Sequence, residues 1–164
     1  IDVSLVGSEM CIRDSGNTLV LFNYVEKHGT PLYELINNNV ESSRKVFFVH
    51  GGTDVEDREE VRNLTETESN AIIVASYGTF STGINIKRLH NIVFASPSKS
   101  RIRNLQSIGR VLRKGEGKDI ATLYDIADDI GGQNYTLKHL NERVNIYNNE
   151  NFKYEVIRVN LRAN

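Results

Sequence analysis

Cysteine and methionine each occur once in the 164-residue chain, proline twice and tryptophan not at all. One thiol, Cys11, can close no internal disulfide and builds no cysteine-based metal site. No apolar run approaches the roughly 20 residues that a membrane span needs. There is no internal repeat and no low-complexity tract. Net charge is near zero, with 20 Lys and Arg against 21 Asp and Glu. Both Cys11 and Met10 fall within residues 1–15, which match neither helix nor strand period and read as a non-native segment ahead of a domain over 16–164.

The charge is distributed unevenly. Residues 54–68 are acidic, with Asp54, Glu56, Asp57, Glu59, Glu60, Glu66 and Glu68 against Arg58 and Arg62. Over 87–118 the balance reverses: Lys87, Arg88, Lys99, Arg101, Arg103, Arg110, Arg113, Lys114 and Lys118 face only Glu116. A local basic surface favours an anionic partner even in a chain of near-zero net charge.

Apolar, β-rich runs at 18–22, 45–49, 71–75, 91–95 and 121–125 predict strands, and the continuous run at 18–22 is of the kind buried on both faces of a parallel sheet. Between them, helical spacing predicts a helix over 25–37, with Pro31 early in it, and an acidic helix to about Leu64 opened by a Thr53-x-x-Glu56 capping box. A loop is expected over 76–85, a helix over 136–148, and an alternating edge strand over 154–161. Strands and helices in this rhythm predict an α/β fold, a parallel sheet with helices on both faces. Ligands of such sheets bind beyond the carboxyl ends of the strands. The segments at 50–52, 76–85 and 96–101 would share that rim.

The segment 99–118 is expected to hold a helix. At about 100° per residue, Arg103, Gln106, Arg110 and Arg113 fall on one stripe, beside an apolar stripe of Ile102, Leu105, Ile108 and Leu112. Guanidinium is always charged and its fork matches phosphate oxygens two at a time. Spacing alone fits either phosphate recognition or a solvated basic helix end. The turn His50-Gly51-Gly52-Thr53 stands at a predicted helix N-terminus, where free amides favour an anion, although the neighbouring acids oppose one. Ser76, Thr79, Ser81 and Thr82 offer hydroxyls to phosphates, or form an ordinary turn. His28, His90 and His139 lack ligand spacing, and Asp125, Asp128 and Asp129 suit a strand end and a solvated loop better than a metal site.

Taken together, these segments carry a family resemblance. Gln106-x-x-Gly109-Arg110-x-x-Arg113 resembles motif VI of superfamily 2 helicases, and Ser81-Thr82-Gly83-Ile84-Asn85 resembles their motif V. The strand ending in His50-Gly51-Gly52 is similar to motif IVa, and 18–23 to motif IV. Order and spacing agree from 16 to about 126, and the likeness is greatest to the recombination and branch-migration DNA helicases of phages. The resemblance implies a RecA-like C-terminal motor domain with a C-terminal helix and strand extension. It implies ATP with Mg2+ as cofactor, held mainly by an N-terminal RecA-like domain of the same protein. Arg110 and Arg113 would be arginine fingers, with Gln106, Gly83 and Asn85 beside the nucleotide. Asn85 stands where the family commonly has Asp, so it can hydrogen-bond but not form an ion pair. DNA, branched or single-stranded, would be held without sequence preference by His50, Gly51, Gly52, Ser76, Thr79, Ser81, Thr82 and Arg103. No resident metal site and no membrane contact are expected, and the location would be cytoplasmic, in the host if phage-encoded. The chain has no Gly-x-x-x-x-Gly-Lys-Ser/Thr loop and no Asp-Glu-x-His box, so alone it should not hydrolyse ATP. The rival expectations are a non-catalytic nucleic-acid-binding module and the motor part of an RNA helicase or restriction enzyme.

Overall fold

Five apolar runs become five parallel strands. In the computed structural model, which describes residues 16–81, 88–96, 122–129 and 135–158, these are β1 (Asn17–Phe22), β2 (Val46–Val49), β3 (Ile72–Ser76), β4 (Leu89–Phe94) and β5 (Thr122–Asp125). They lie in the order β2-β3-β1-β4-β5, every pairing parallel. β1 and β3 are buried at every residue, as their unbroken apolar runs require of a sheet covered on both sides.

The helices divide between the two faces, and the strand order explains how. From β1 the chain crosses leftward to β2, whereas its later crossovers run rightward. Right-handed connections then put the first crossover on one face and the later ones on the other. Alternate residues of the strands follow suit. Val20, Phe22, Ile72, Val74 and Val93 pack with Leu32, Tyr33 and Ile36 of α1 (Thr30–Asn39). Leu19, Leu21, Ile73, Ala75 and Ile92 pack with Val61 of α2 (Val55–Thr67), Phe80 of α3 (Tyr77–Ser81), and Val144 and Tyr147 of α4 (Tyr135–Asn149). Each fully buried Leu or Ile among these contributes roughly 1.5–3 kcal/mol.

Several local expectations are revised. The helix expected over 25–37 is two pieces: a π-helical turn, Val25–Gly29, and then α1 with Pro31 in its first turn. The capping box does not form. Asp54 is the N-cap of α2 and makes no side-chain cap bond, while Thr53 Oγ1 accepts instead from the His50 N–H at 3.0 Å. The helix also runs on to Thr67, because a buried asparagine holds its end. Asn17 Nδ2 donates to the Thr65 and Glu68 carbonyls, each at 2.8 Å, and its Oδ1 accepts from the Ala71 N–H at 2.8 Å. The loop expected from residue 76 opens instead as α3.

The alternating segment near the C-terminus is no strand as far as residue 158. Asn151, at φ 56°, turns the chain back at the end of α4, and Phe152 and Tyr154 then pack on Tyr147, with ring centroids 6.2 and 6.3 Å away. The remainder of that segment lies outside the described residues.

The amino ends of the strands are tied by Arg44, which donates to Asn70 O at 3.2 Å, Gly16 O at 3.2 Å and Thr18 Oγ1 at 3.1 Å. Gly16 must be glycine twice over. Its φ is +112°, and a Cβ there would lie 2.7 Å from the His90 ring.

Candidate functional site

The opposite, carboxyl ends of the strands carry His50, Ser76, Asn23, Ser96 and Asp125, in that order across the sheet. After β1 the chain turns toward β2, and after β4 toward β5, so the crossovers diverge between these two neighbours. Such a divergence opens a crevice in a parallel sheet. Its walls are stitched together here. The Asn23 N–H donates to Ser96 Oγ at 2.9 Å, and the Asn23 side-chain amide donates to the Ser96 carbonyl.

The His50 turn is held mostly by its own bonds. Thr53 N–H donates to His50 O at 3.0 Å, and Gly52 N–H donates to His50 Nδ1 at 3.1 Å. Arg58 reaches back from α2 to donate its Nε to Thr53 O at 2.9 Å, bringing a cation over a turn otherwise followed by Glu56 and Asp57. The His50 ring rests 5.2 Å from that of Phe48. Gly51 and Gly52 are exposed. Neither has a positive φ, and a Cβ at Gly51 would meet nothing within 4 Å among the described residues.

At the end of β3, Ser76 and Thr79 are buried, 8% and 4% exposed. Their hydroxyls bond each other at 2.8 Å, and the Thr79 N–H donates to Ser76 Oγ at 3.3 Å. The pair caps the start of α3 and turns inward. Ser81 closes α3.

At the end of β5 stands a cluster that local sequence reading took for a strand end beside a solvated loop. Asp125 accepts from Arg143 Nε at 2.7 Å and Nη2 at 2.8 Å, and from the Tyr147 hydroxyl at 2.6 Å. The Arg143 side chain is 2% exposed, and its Nη1 has no hydrogen-bond partner among the described residues. Burial pushes the Tyr147 phenol well above its ordinary pKa, and the Asp125 charge and hydrogen bond push the same way, against an opposing effect of Arg143. The available signal was Arg143 and Tyr147 four apart on one helix face. Which acid they face is a tertiary fact.

Among the described residues, then, His50, Gly51, Gly52, Ser76, Thr79 and Ser81 share the carboxyl rim. Thr82, Gly83, Asn85, Arg103, Gln106, Arg110 and Arg113 lie outside the described residues. No group of three or more His, Cys, Asp or Glu among the described residues could hold a metal ion, and no described helix is long and apolar enough to cross a membrane.

The sequence is 42% identical over 158 residues to the ATP-dependent DNA helicase uvsW of Enterobacteria phage T4, an alignment covering 88% of this chain and 31% of the phage protein. The chain thus spans about a third of that relative's length. In fold it is similar to domain 2 of the DEAD-box helicase Mss116p bound to an RNA duplex, with a TM-score of 0.63, 15% identity, and coverage of 87% of this chain and 52% of that one. The C-terminal domain of S. cerevisiae Dbp5, solved with Gle1 and IP6, gives a TM-score of 0.62 at 15% identity, covering 94% of this chain and 80% of that one. At such identity the likeness is one of fold. The model of the helicase conserved C-terminal domain matches residues 3–115. With its parallel RecA-like sheet and its carboxyl-end rim, the chain belongs to the helicase conserved C-terminal domain family.

Proposed function

We propose that this chain is the C-terminal motor domain of an ATP-dependent DNA helicase or translocase acting on branched or recombination DNA. The 42% identity to uvsW supports DNA as the substrate and ATP as the fuel. The observation that carries the DNA contact is Gly51. It is exposed, has no positive φ, and among the described residues nothing lies within 4 Å of a Cβ position there, so the space over its backbone is open. Bare backbone at the carboxyl rim suits the close approach of a phosphate. Gly52, His50 and the basic Arg103 would extend that contact, and the backbone amides of the segment holding Ser81 and Thr82 would continue it. Ser76 and Thr79 would set the direction of that segment through their mutual hydroxyl bond at the start of α3.

The nucleotide half of the reading rests on Arg110 and Arg113. Bound ATP and Mg2+ would supply the phosphoryl group whose cleavage drives the motor. The chain has no phosphate-cradling loop, so an N-terminal RecA-like partner would hold most of the nucleotide. Arg110 and Arg113 would set positive charge against the phosphate oxygens from across the cleft. Gln106, Gly83 and Asn85 would line this domain's side of it. The test joins this chain to its N-terminal half and measures DNA-stimulated ATP hydrolysis. Arg110→Ala or Arg113→Ala should lower kcat by roughly 10³–10⁵, and wild-type turnover in both would refute the finger assignment.

A further inference from the structure

Tyr24 stands on the carboxyl rim two residues beyond β1, its side chain 63% exposed. It is not a loosely held loop residue. Its carbonyl accepts from both the His28 and Gly29 N–H groups at 3.0 Å, closing the π-helical turn Val25–Gly29. Its ring meets the His28 ring edge-on at 5.3 Å. Immediately before it, Asn23 is clamped to Ser96. The turn in turn depends on Gly29, where a Cβ would lie 2.5 Å from the Phe22 ring. π-Helical turns are rare and concentrate at functional sites.

The same aromatic layer supports the His50 turn. The Phe22 ring stacks on Phe48 at 5.6 Å, and Phe48 in turn packs against His50 at 5.2 Å. Leu21 and Val49 both pair with Ala75, so the two turns leave the sheet at one level. Two strand spacings separate them, roughly 10 Å, which is about three phosphate steps of a stacked strand. One side presents bare backbone at Gly51, and the other presents the largely exposed Tyr24 ring in edge contact with His28.

We propose that Tyr24 is a base-stacking contact. A single strand whose phosphates pass the His50–Gly52 turn lays a nucleobase on the Tyr24 ring. This rests on the DNA-binding reading and adds to it a residue that reads the base face rather than the backbone. Every base has such a face, so the contact is sequence-tolerant. It is also less sensitive to salt than the phosphate grip, because stacking releases no counterions.

The experiment titrates this chain with two fluorescein-labelled strands of equal length, oligo(dT) and an abasic deoxyribose-phosphate strand. The wild type should bind both, oligo(dT) more tightly. Tyr24→Ala should weaken oligo(dT) binding by roughly 5- to 100-fold and leave abasic binding unchanged. Tyr24→Phe, which keeps the ring, should restore oligo(dT) binding. Circular dichroism melts should coincide for all three proteins, since the Tyr24 ring is exposed. An alanine variant that binds oligo(dT) like the wild type, or that loses both strands alike, overturns the stacking role while leaving the backbone reading standing. A wild type that binds neither strand overturns both.

Discussion

Asp125 is the residue whose loss should matter most to folding. It neutralises Arg143, which is 2% exposed and held by two nitrogens at 2.7 and 2.8 Å. Removing one partner of a buried pair strands the other charge, at a cost of about 3–5 kcal/mol. Asp125→Asn should therefore lower the free energy of unfolding in urea by about that amount, and Asp125→Leu combined with Arg143→Met should recover part of it. Tyr147 extends the same cluster into a pH dependence. Its folded-state pKa is raised above the unfolded value of about 10, chiefly by burial, so the folded state favours the neutral phenol. The stability this provides is complete below about pH 10 and is lost as pH rises toward the folded-state value. In Tyr147→Phe the hydrogen bond to Asp125 is gone at every pH. The stability gap between wild type and variant should thus be constant at neutral pH and shrink above about pH 10 in urea titrations.

At the scale of elements, α2 has weak claims of its own. Two acids in its first turn suit the helix dipole, but its N-cap makes no side-chain bond and Thr65 alone of its residues is buried. What holds its C-terminal end is Asn17, which takes the Thr65 carbonyl, that of the C-cap Glu68 and the Ala71 amide just ahead of β3. A leucine at that position would leave these buried groups without partners, each costing about 1–3 kcal/mol. Asn17→Leu should accordingly destabilise the fold by at least about 2 kcal/mol, and amide exchange should quicken first over 62–68. The apolar-rich runs identify β1 to β5 to within a residue or two, most sharply at β1 and β3, which are buried along their whole length. The short helix α3 rests on a local signal, the Ser76–Thr79 hydroxyl pair three residues apart, whereas the split at Gly29 depends on the Phe22 ring filling the space beside Gly29.

For the whole molecule, the proposed DNA contact is to backbone, and its strength should follow phosphate electrostatics. Each phosphate neutralised contributes a slope of roughly −0.7 to log K against log salt for a single strand. The Arg58 guanidinium, bonded to Thr53 O, sets a positive charge at the His50 turn beside the acids of α2. Binding of oligo(dT) by this chain should weaken steeply between low and physiological salt, and Arg103→Ala should reduce the slope by about one phosphate's worth, read by fluorescence anisotropy.

Side-chain pattern alone carries the alternation of strand and helix, the burial of β1 on both faces, and the rim shared by His50, Ser76 and Ser96. These follow from side-chain periodicity and from the handedness of parallel connections, which act over one element or two. The tertiary structure alone decided which groups close on one another there. Asn23 finds Ser96 across 73 residues, Asn17 finds Thr65 across 48, and Asp125 finds Arg143 rather than solvent. A buried polar group must be paired wherever its partner lies along the chain, and no local pattern carries that address.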